Sequence, residues 1–440
     1  MRPSSSTHRP RLARRCFLPG GLLFVGALAA LPGCKDASQN SASSANASSA
    51  NAGSANGSAA APSASASASA GQPASSGGQV APAYDASGPE IKIGAYFSLT
   101  GDTATFGQGS VKGIQMAFDE VNKAGGVLGK PLKLIVSDTA SRSDQAGTVV
   151  NQLIYQQKVL AVLGEVASSS SLAGAPVCQS AKVPMLSPSS TNPAVTRIGD
   201  YIFRSCFIDD FTGAAAAKFA RTTLKAKTAA VLTDSANDYS KGLSRAFLDE
   251  WQKAGGTLVA KQFYAKGDKD FRGQLTAIKG KNPDILYVPG YYTEVGNIAV
   301  QARSAGITQP LMGGDGWDSP KLYDIAQAQV QGCYFTNHYS AQSKDPRVVA
   351  FVSRFKALHS GETPDALTAV GYDAALVMAD AIKRAGALDR AKLRDALAGT
   401  KNFAGVTGTF SIDANRNAVK PLVILKIQGK EGQYVTTVNP

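Results

Sequence analysis

The chain has 440 residues, of which 44% are hydrophobic and 18% are charged, and its formal net charge is +13 at pH 7. A single hydrophobic core stops growing beyond about 250–300 residues, so this length predicts more than one domain. Five arginines lie in the first fifteen positions. The other basic residues are scattered without interleaved aromatic residues, which argues against a nucleic-acid-binding surface.

Residues 1–33 have the organisation of an export signal. Their basic start contains no acidic residue and leads into an apolar run over residues 17–31, shorter than the ~20 residues that a permanent membrane helix needs. Pro32, Gly33 and Cys34 follow, and this pattern resembles the signal of bacterial lipoproteins. The resemblance implies that Cys34 is lipidated. The alternative is an ordinary cleaved signal followed by a chance cysteine.

The export route has two candidates. Arg14 and Arg15, followed by residues 16–18, resemble the twin-arginine motif of proteins that cross the membrane already folded. Arginine-rich signal starts are common, so the general secretory pathway stays open. By either route we expect a lipid-anchored protein of the cell envelope, on the periplasmic side of the inner or the outer membrane.

Residues 34–89 predict a disordered tether. The segment consists almost entirely of Ser, Ala, Asn, Gly and Pro, which cannot bury enough apolar surface to offset the entropy of ordering. A flexible linker of this length has a root-mean-square span of about 40 Å. We interpret it as a spacer, without a binding role, that holds a folded domain off the membrane.

From Ile91 onward, short β-like runs alternate with amphipathic helical segments. The predicted strands cover residues 91–98, 132–136, 159–163, 184–186, 228–232, 258–263, 285–288 and 311–312. The predicted helices cover residues 108–123, 143–157, 171–182, 209–223, 240–254, 270–279, 294–304, 346–358 and 368–385. This alternation predicts βαβ units with parallel sheets. A Gly-Gly pair ends a helix in each half, at residues 125–126 and 255–256, which suggests two similar α/β lobes.

Three cysteines follow the predicted signal and tether. Cys178 lies on a predicted helix and is expected to be a buried thiol. Cys206 and Cys333 lie at the ends of strand-like runs, and disulfides are permitted outside the cytoplasm. We therefore predict a Cys206–Cys333 disulfide.

The predicted ligand site lies in the loops after the strands, because doubly wound sheets bind ligands at the carboxyl ends of their strands. Residues 164–171 contain four consecutive serines before a predicted helix, a pattern that can bind an anion such as a carboxylate. Plain N-capping needs only one of them. Residues 187–193 are a second hydroxyl-rich loop, for which a simple polar turn is the alternative.

Glu294 begins a predicted helix after the loop that contains Tyr291 and Tyr292. A glutamate in this position commonly just complements the helix macrodipole. In a polar and aromatic cleft it could instead accept an ammonium group. Anion donors on one lobe and an acceptor of cations on the other would match a zwitterion.

Taken together, these motifs resemble the branched-chain amino-acid-binding (Leu/Ile/Val-type) periplasmic receptors of ABC transporters. The matching segments are residues 93–101, 106–107, 122–126, 164–171, 188–191, 234–239, 290–296 and 313–317. The resemblance implies a type I periplasmic binding protein: an α/β fold with two doubly wound parallel-sheet lobes joined by three hinge crossings. The implied N-terminal lobe covers residues 90–207 and 337–419, and the C-terminal lobe covers residues 208–336 and 420–440.

The resemblance also implies a set of ligand-binding residues: Phe106, Ser168, Ser189, Ser190, Thr191, Tyr239, Tyr292, Glu294 and Trp317. Hydroxyl and main-chain groups of the serine loops would hold the ligand carboxylate, and Glu294 its α-ammonium group. Phe106 and Tyr239 would cover the ligand, while Tyr292 and Trp317 would shape the side-chain pocket. Ala167 stands where well-known members of the family have a disulfide.

The implied function is capture of an amino acid and its delivery to an ABC permease, by a monomer without cofactor or metal. The alternative is an amino-acid or amide sensing module for a signalling partner. A hydrolase is disfavoured, because the Ser353-x-x-Lys356 spacing lacks its companion motifs. His338 and His359 are expected to be structural or exposed, and no metal-ligand spacing of Cys and His occurs.

Overall fold

The computed structural model describes residues 80–440. The predicted signal, Cys34 and most of the predicted tether lie outside the described residues. Within the described part of the chain, no helix is long and apolar enough to cross a membrane.

The first lobe is built on a five-stranded parallel sheet in the order β2-β1-β3-β4-β5. Its strands are β1 (Ile91–Phe97), β2 (Leu132–Asp138), β3 (Ala161–Gly164), β4 (Met185–Ser187) and β5 (Ile202–Arg204). The central strand β3 is buried at every position. Such uninterrupted apolar runs are typical of parallel sheets that are covered by helices on both faces.

Helices cover both faces of this sheet. They are α1 (Ala104–Lys123), α2 (Ser143–Asn151), α3 (Ser168–Ala181), α4 (Ala194–Arg197), α10 (Pro346–Leu358), α11 (Ala366–Ala385) and α12 (Arg390–Ala398). A π-helical turn, Gln152–Gln156, continues α2. α1 packs closely on α11, since a Cβ atom at Gly113 would lie 2.0 Å from the Thr368 carbonyl oxygen. Only glycine allows this approach.

The second lobe is built on a seven-stranded sheet in the order β15-β14-β10-β9-β8-β6-β7. Its parallel strands are β6 (Thr228–Asp234), β7 (Thr257–Tyr264), β8 (Ile285–Tyr287), β9 (Leu311–Gly313) and β10 (Tyr334–Asn337). An antiparallel hairpin of β14 (Leu422–Gln428) and β15 (Glu431–Val438) adds to β10. Its helices are α5 (Asp209–Thr222), α6 (Asp238–Lys253), α7 (Arg272–Lys279), α8 (Tyr292–Ser304) and α9 (Pro320–Ala326). Short 3₁₀ turns lie at Asp315–Trp317 and Gln327–Val330.

The chain crosses between the lobes three times: after β5, after β10, and before β14. The third crossing follows a small sheet of β11 (Phe403–Gly405), β12 (Gly408–Ile412) and β13 (Ala418–Val419). It carries the fully buried Lys420, whose ammonium group contacts the Thr407 hydroxyl and lies 5.1 Å from the Phe410 ring centroid. Asp373 accepts hydrogen bonds from the same Thr407. Burial lowers the pKa of Lys420 to about 8.

The strands predicted from the sequence are all present. The central strands are buried apolar runs, whereas β2 and β7 lie at sheet edges and are partly exposed. The helices are also present, with α1, α3, α6, α8 and α11 starting two to four residues earlier than predicted. Sequence periodicity did not identify the helices α4, α9 and α12 or the strands β11–β15. These strands are antiparallel, and β15 is largely exposed, so it has no continuous apolar run.

The last ten residues of the predicted tether are ordered against the first lobe. Ala81 is buried, and its N–H donates to the Ala181 carbonyl oxygen at 3.2 Å. Arg390 donates to the Pro82 carbonyl oxygen at 2.8 Å, and Lys130 donates to two further carbonyl oxygens of this segment. The tether prediction is therefore wrong for residues 80–89. Composition predicts whether side chains can form a buried core, whereas these contacts are made mainly by backbone groups of the segment.

The predicted Cys206–Cys333 disulfide is also wrong. Both cysteines and Cys178 are free and buried, which confirms only the expectation for Cys178. Cys206 follows the carboxyl end of β5 and lies 3.5 Å from the Ser190 carbonyl oxygen. Cys333 precedes the amino end of β10 and lies 3.4 Å from the Arg303 guanidinium. A strand-like run predicts local conformation, but not whether two strand ends lie at the same side of the molecule.

Candidate ligand site between the lobes

The loops at the carboxyl ends of the strands in the two sheets meet face to face. Ser169 of α3 contacts Asp238 of α6, at 2.9 Å from hydroxyl to carboxylate. Lys266, in the loop after β7, donates to the Ser141 carbonyl oxygen of the first lobe at 2.5 Å. We call the region enclosed by these loops the cleft.

A second set of cross-lobe contacts closes the cleft near the start of α1. The hydroxyl oxygens of Thr105 and Ser319 lie 2.9 Å apart. The Thr293 hydroxyl donates to the Asp102 carbonyl oxygen at 2.7 Å. Hydrogen bonds therefore join the lobes both at α1 and at α3.

Glu165 organises the first-lobe side of the cleft. Its buried carboxylate accepts hydrogen bonds from Ser98 N at 2.8 Å and from Ala167 N at 2.5 Å. It thus holds the loop after β1 against the loop after β3. Burial raises the pKa of Glu165. Gly164 precedes it with φ +125°, and a Cβ atom there would lie 2.2 Å from the Tyr96 carbonyl oxygen, so the loop requires glycine.

The four serines 168–171 all lie in the first turn of α3, because this helix begins at Ser168. Ser168 is buried, and its hydroxyl oxygen accepts a hydrogen bond from Asn192 N at 3.2 Å. Ser171 lies 2.7 Å from the Ser190 hydroxyl. The run is thus divided: Ser168 contacts the neighbouring loop, Ser169 the other lobe, and Ser171 the interior of its own lobe.

Of the three predicted ligand residues in the loop after β4, the structure directs one away from the cleft. The Ser190 hydroxyl lies 2.8 Å from Glu165 O and 2.9 Å from Val166 O, so it is committed to first-lobe loops. A ligand contact of Ser190 stays a prediction. The Thr191 hydroxyl is buried and interacts with the Asp209 carboxylate. Ser189 Oγ lies 3.2 Å from His338 Nε2.

Glu294 lies in the first turn of α8, on the opposite side of the cleft. It is 4% exposed, and its Oε1 accepts a hydrogen bond from Gly267 N at 3.1 Å. Burial raises the pKa of Glu294, and the nearby carboxylates of Asp234 and Asp102 raise it further. A positive group would therefore be favoured here over a neutral one.

Aromatic rings from both lobes meet in the cleft. Phe106 of α1 makes edge-to-face contacts with Tyr291 and Tyr292, with ring centroids 5.4 Å and 5.1 Å apart. Tyr239 of α6 stacks on Tyr291 at 5.2 Å. The predicted residues Phe106, Tyr239 and Tyr292 are thus brought together. Tyr291 was not among the predicted ligand residues, although the doubled tyrosine marked the position.

Trp317 lies in the core of the second lobe rather than in the cleft. Its indole N–H donates to the Val288 carbonyl oxygen at 3.0 Å, and its ring stacks with Phe335 at 6.3 Å. The side chain is fully buried against Gly313 of the sheet. These contacts hold the ring against the sheet, and the contact of Trp317 with ligand stays a prediction.

His338 and Asp315 join the predicted ligand residues of the two lobes, and sequence reasoning missed this role. His338 Nε2 lies 3.1 Å from Asp315 Oδ2, and Asp315 Oδ1 accepts a hydrogen bond from the Tyr239 hydroxyl at 3.1 Å. Their sequence separation of 23 residues carries no signal of contact. Among residues 80–440, no cluster of three or more His, Cys, Asp or Glu side chains could hold a metal ion.

Comparison with known proteins identifies the family. A family model described as "Periplasmic binding protein" matches residues 90–433. An amino acid binding protein of Pseudomonas aeruginosa is 34% identical over 310 residues, covering 69% of this chain and 81% of that protein. A leucine-, isoleucine-, valine-, threonine- and alanine-binding protein of the same organism is 31% identical over 332 residues, covering 75% and 87%.

Comparison with solved structures leads to the same family. The leucine-binding protein LivK of Thermotoga maritima superimposes with a TM-score of 0.76 at 40% identity, covering 80% of this chain and 99% of that one. LivJ of Streptococcus pneumoniae, in complex with isoleucine, gives a TM-score of 0.76 at 36% identity, covering 80% and 100%. The chain therefore belongs to the periplasmic binding protein family, among the branched-chain amino-acid substrate-binding proteins of ABC transporters, which are solute-binding proteins and not enzymes.

Proposed function

We propose that this protein captures a free α-amino acid of the branched-chain or a related type in the cleft and delivers it to an ABC permease. The observation that carries the proposal is the opposition of polar groups across the cleft. The hydroxyls of Ser168, Ser189 and Thr191 lie on the first lobe, and the Glu294 carboxylate lies on the second. These groups match the carboxylate and the ammonium group of a zwitterion.

The expected interactions suffice for useful affinity. A hydrogen bond to a charged group contributes about 1.5–3 kcal/mol, and the zwitterion offers one charged group to each lobe. With an apolar side chain enclosed by Phe106 and the tyrosines, a dissociation constant near 1 μM, about −8 kcal/mol, is within reach. The ligand binds both lobes only when they are closed, so it stabilises the closed arrangement.

Relatives support the choice of ligand. LivJ of Streptococcus pneumoniae holds isoleucine, and the Pseudomonas aeruginosa relative is named for five amino acids that include threonine and alanine. We infer a ligand from this group of small or branched amino acids.

We further propose that Cys34 carries a lipid anchor and that export places the lobes on the periplasmic side of a membrane. The anchor rests on the sequence of residues 1–34 alone. The three observed crossings support lobe boundaries at residues 90–207 with 337–419, and 208–336 with 420–440.

Isothermal titration of the full chain, purified in mild detergent, against the twenty amino acids tests the proposal. We expect micromolar binding of at least one of leucine, isoleucine, valine, threonine and alanine. Glu294→Gln should weaken that binding at least tenfold, because a neutral amide replaces the partner of the ammonium group. Glu250→Gln is the matched control, since Glu250 lies on α6 and, within residues 80–440, pairs only with Lys218 on α5. Near-normal affinity in Glu294→Gln would refute the ammonium assignment.

A further inference from the structure

His338 occupies the second crossing, directly after β10, between the two halves of the ligand site. Its side chain is fully buried. The imidazole stacks on Phe207 of the first crossing, with ring centroids 4.1 Å apart and planes inclined by 12°. Two of the three crossings are therefore packed together through this ring, and the stacking on Phe207 fixes the plane of the imidazole.

One nitrogen of this ring contacts both lobes. His338 Nε2 lies 3.2 Å from Ser189 Oγ in the first lobe and 3.1 Å from Asp315 Oδ2 in the second. Asp315 Oδ1 accepts a hydrogen bond from the Tyr239 hydroxyl at 3.1 Å, and the Tyr239 oxygen accepts a hydrogen bond from Gly316 N at 2.9 Å. A continuous chain of hydrogen bonds thus runs from Ser189 through the hinge to Tyr239.

The partners determine the tautomer of the ring. An ionised carboxylate can only accept a hydrogen bond, so the Nε2 atom that faces Asp315 must carry the proton. His338 Nδ1 is buried and has no hydrogen-bond partner in the described part of the chain. A buried acceptor without a partner is tolerated more readily than a buried N–H without one, so Nδ1 is unprotonated. Burial also lowers the pKa of His338, in agreement with a neutral ring.

This tautomer decides how the Ser189 hydroxyl is oriented. Because Nε2 carries a proton, it has no lone pair to offer. Its single N–H is shared between Asp315 Oδ2 and Ser189 Oγ in a three-centre hydrogen bond, so Ser189 Oγ can only accept from it. The hydroxyl proton of Ser189 must then point away from the ring. Ser189 Oγ has no other hydrogen-bond partner within residues 80–440, so the proton is available to a ligand.

We propose that His338 is a positioning residue: its Nε2–H orients Ser189 as a hydrogen-bond donor to the ligand carboxylate, and couples that donor through Asp315 to Tyr239 in the opposite lobe. The inference rests on the proposed function of the cleft, which supplies the carboxylate. In the absence of such a ligand, the same network would only join the lobes at the hinge.

A double-mutant cycle tests the coupling, with L-isoleucine or whichever amino acid the wild-type chain binds in the titration panel as the probe. His338→Asn and Ser189→Ala should each weaken binding by about tenfold, the loss expected for one charge-assisted hydrogen bond. If His338 acts through Ser189, the double variant should be no more than about threefold weaker than either single variant. Independent losses, multiplying to about a hundredfold, would overturn the proposal.

A conservative variant separates positioning from packing. The side-chain nitrogen of glutamine can occupy the position of Nε2, whereas that of asparagine reaches only the position of Nδ1. His338→Gln should therefore retain affinity within about threefold, while His338→Asn should not. Equal losses in both variants would contradict a role for the Nε2–H group.

Nitrogen-15 NMR of the imidazole groups in the full wild-type chain tests the tautomer without any substitution. We expect a protonated Nε2 and an unprotonated Nδ1 at pH 7.5, with the His338 signals assigned by their loss in His338→Gln. A protonated Nδ1 would overturn the inference. A wild-type chain that binds none of the twenty amino acids would refute the proposed function instead, so the two failures are distinguishable.

Discussion

Ser169 of the first lobe and Asp238 of the second exchange two hydrogen bonds. The Ser169 hydroxyl donates to Asp238 Oδ2 at 2.9 Å, and Asp238 N donates to Ser169 Oγ at 3.1 Å. Each residue lies in the first turn of its helix, α3 and α6. The two helix N-termini thus meet across the cleft, and the negative side chain of Asp238 offsets the partial positive charge that both present.

Removing this reciprocal contact should weaken ligand binding, although neither residue is among the predicted ligand residues. In Ser169→Ala the closed arrangement loses both bonds, so we expect the dissociation constant for the bound amino acid to rise about three- to tenfold. Ser180→Ala, at an exposed position near the end of the same helix, is the control and should bind normally. Isothermal titration measures both. Unchanged affinity in Ser169→Ala would mean that this contact does not stabilise the ligand-bound state.

Affinity should depend on pH through Glu294. Burial raises the pKa of this carboxyl above its usual value, and only the ionised form attracts an ammonium group. Affinity should therefore be full at pH 7.5 and fall as the pH is lowered through the raised pKa. Titrations at half-unit steps from pH 7.5 to 4.5 check the sign. In Glu294→Gln the remaining affinity should be weak and should lose this dependence; the same slope in both proteins would assign it to another group.

The three thiols should remain free in the oxidised protein. Intact-mass analysis should give the same mass, and thermal unfolding the same midpoint, with and without reductant. Burial raises the pKa of Cys206 to about 12, so its reactive thiolate is scarce at neutral pH. Thiol labelling should accordingly require denaturant. A mass two hydrogens lower without reductant would restore the disulfide that the sequence suggested.

Trp317 should affect stability and not affinity. Trp317→Phe removes the hydrogen bond to Val288 and leaves a cavity on the sheet, which should lower the free energy of unfolding by about 1–3 kcal/mol. Trp251→Phe is a matched control, because Trp251 is equally buried in the second lobe but its indole nitrogen has no hydrogen-bond partner among the described residues. Trp251→Phe should lower the free energy of unfolding by less than Trp317→Phe does. Chemical denaturation measures both free energies of unfolding. If Trp317→Phe changes the ligand affinity more than threefold, Trp317 does belong to the binding site.

Most of the site residues lie at the ends of strands, where the order of elements could predict them. Phe106, Ser189, Tyr239 and Glu294 follow four different strands. In the structure Phe106 contacts Tyr292 of the other lobe and Ser189 contacts His338 of the second crossing, whereas Glu294 accepts a hydrogen bond from Gly267 of its own lobe. Ser190 and Trp317 also follow strands, but their side chains donate to carbonyl oxygens within their own lobes. The order of elements predicts which loops meet, but the rotation of each side chain depends on the packing around it.

The sequence by itself determined the alternation of strands and helices, and therefore the parallel strands of both sheets and the edge at which a ligand would bind. Periodic burial is a local property, so a single chain can reveal it, although the residues at which helices begin are less well defined. Only the tertiary structure decided that Cys206 and Cys333 stay apart and that residues 80–89 pack on the first lobe. It also decided that His338 and Asp315 link Ser189 to Tyr239. These outcomes depend on distances between residues far apart in the chain, which are set when the sheets, the crossings and the buried polar groups pack together.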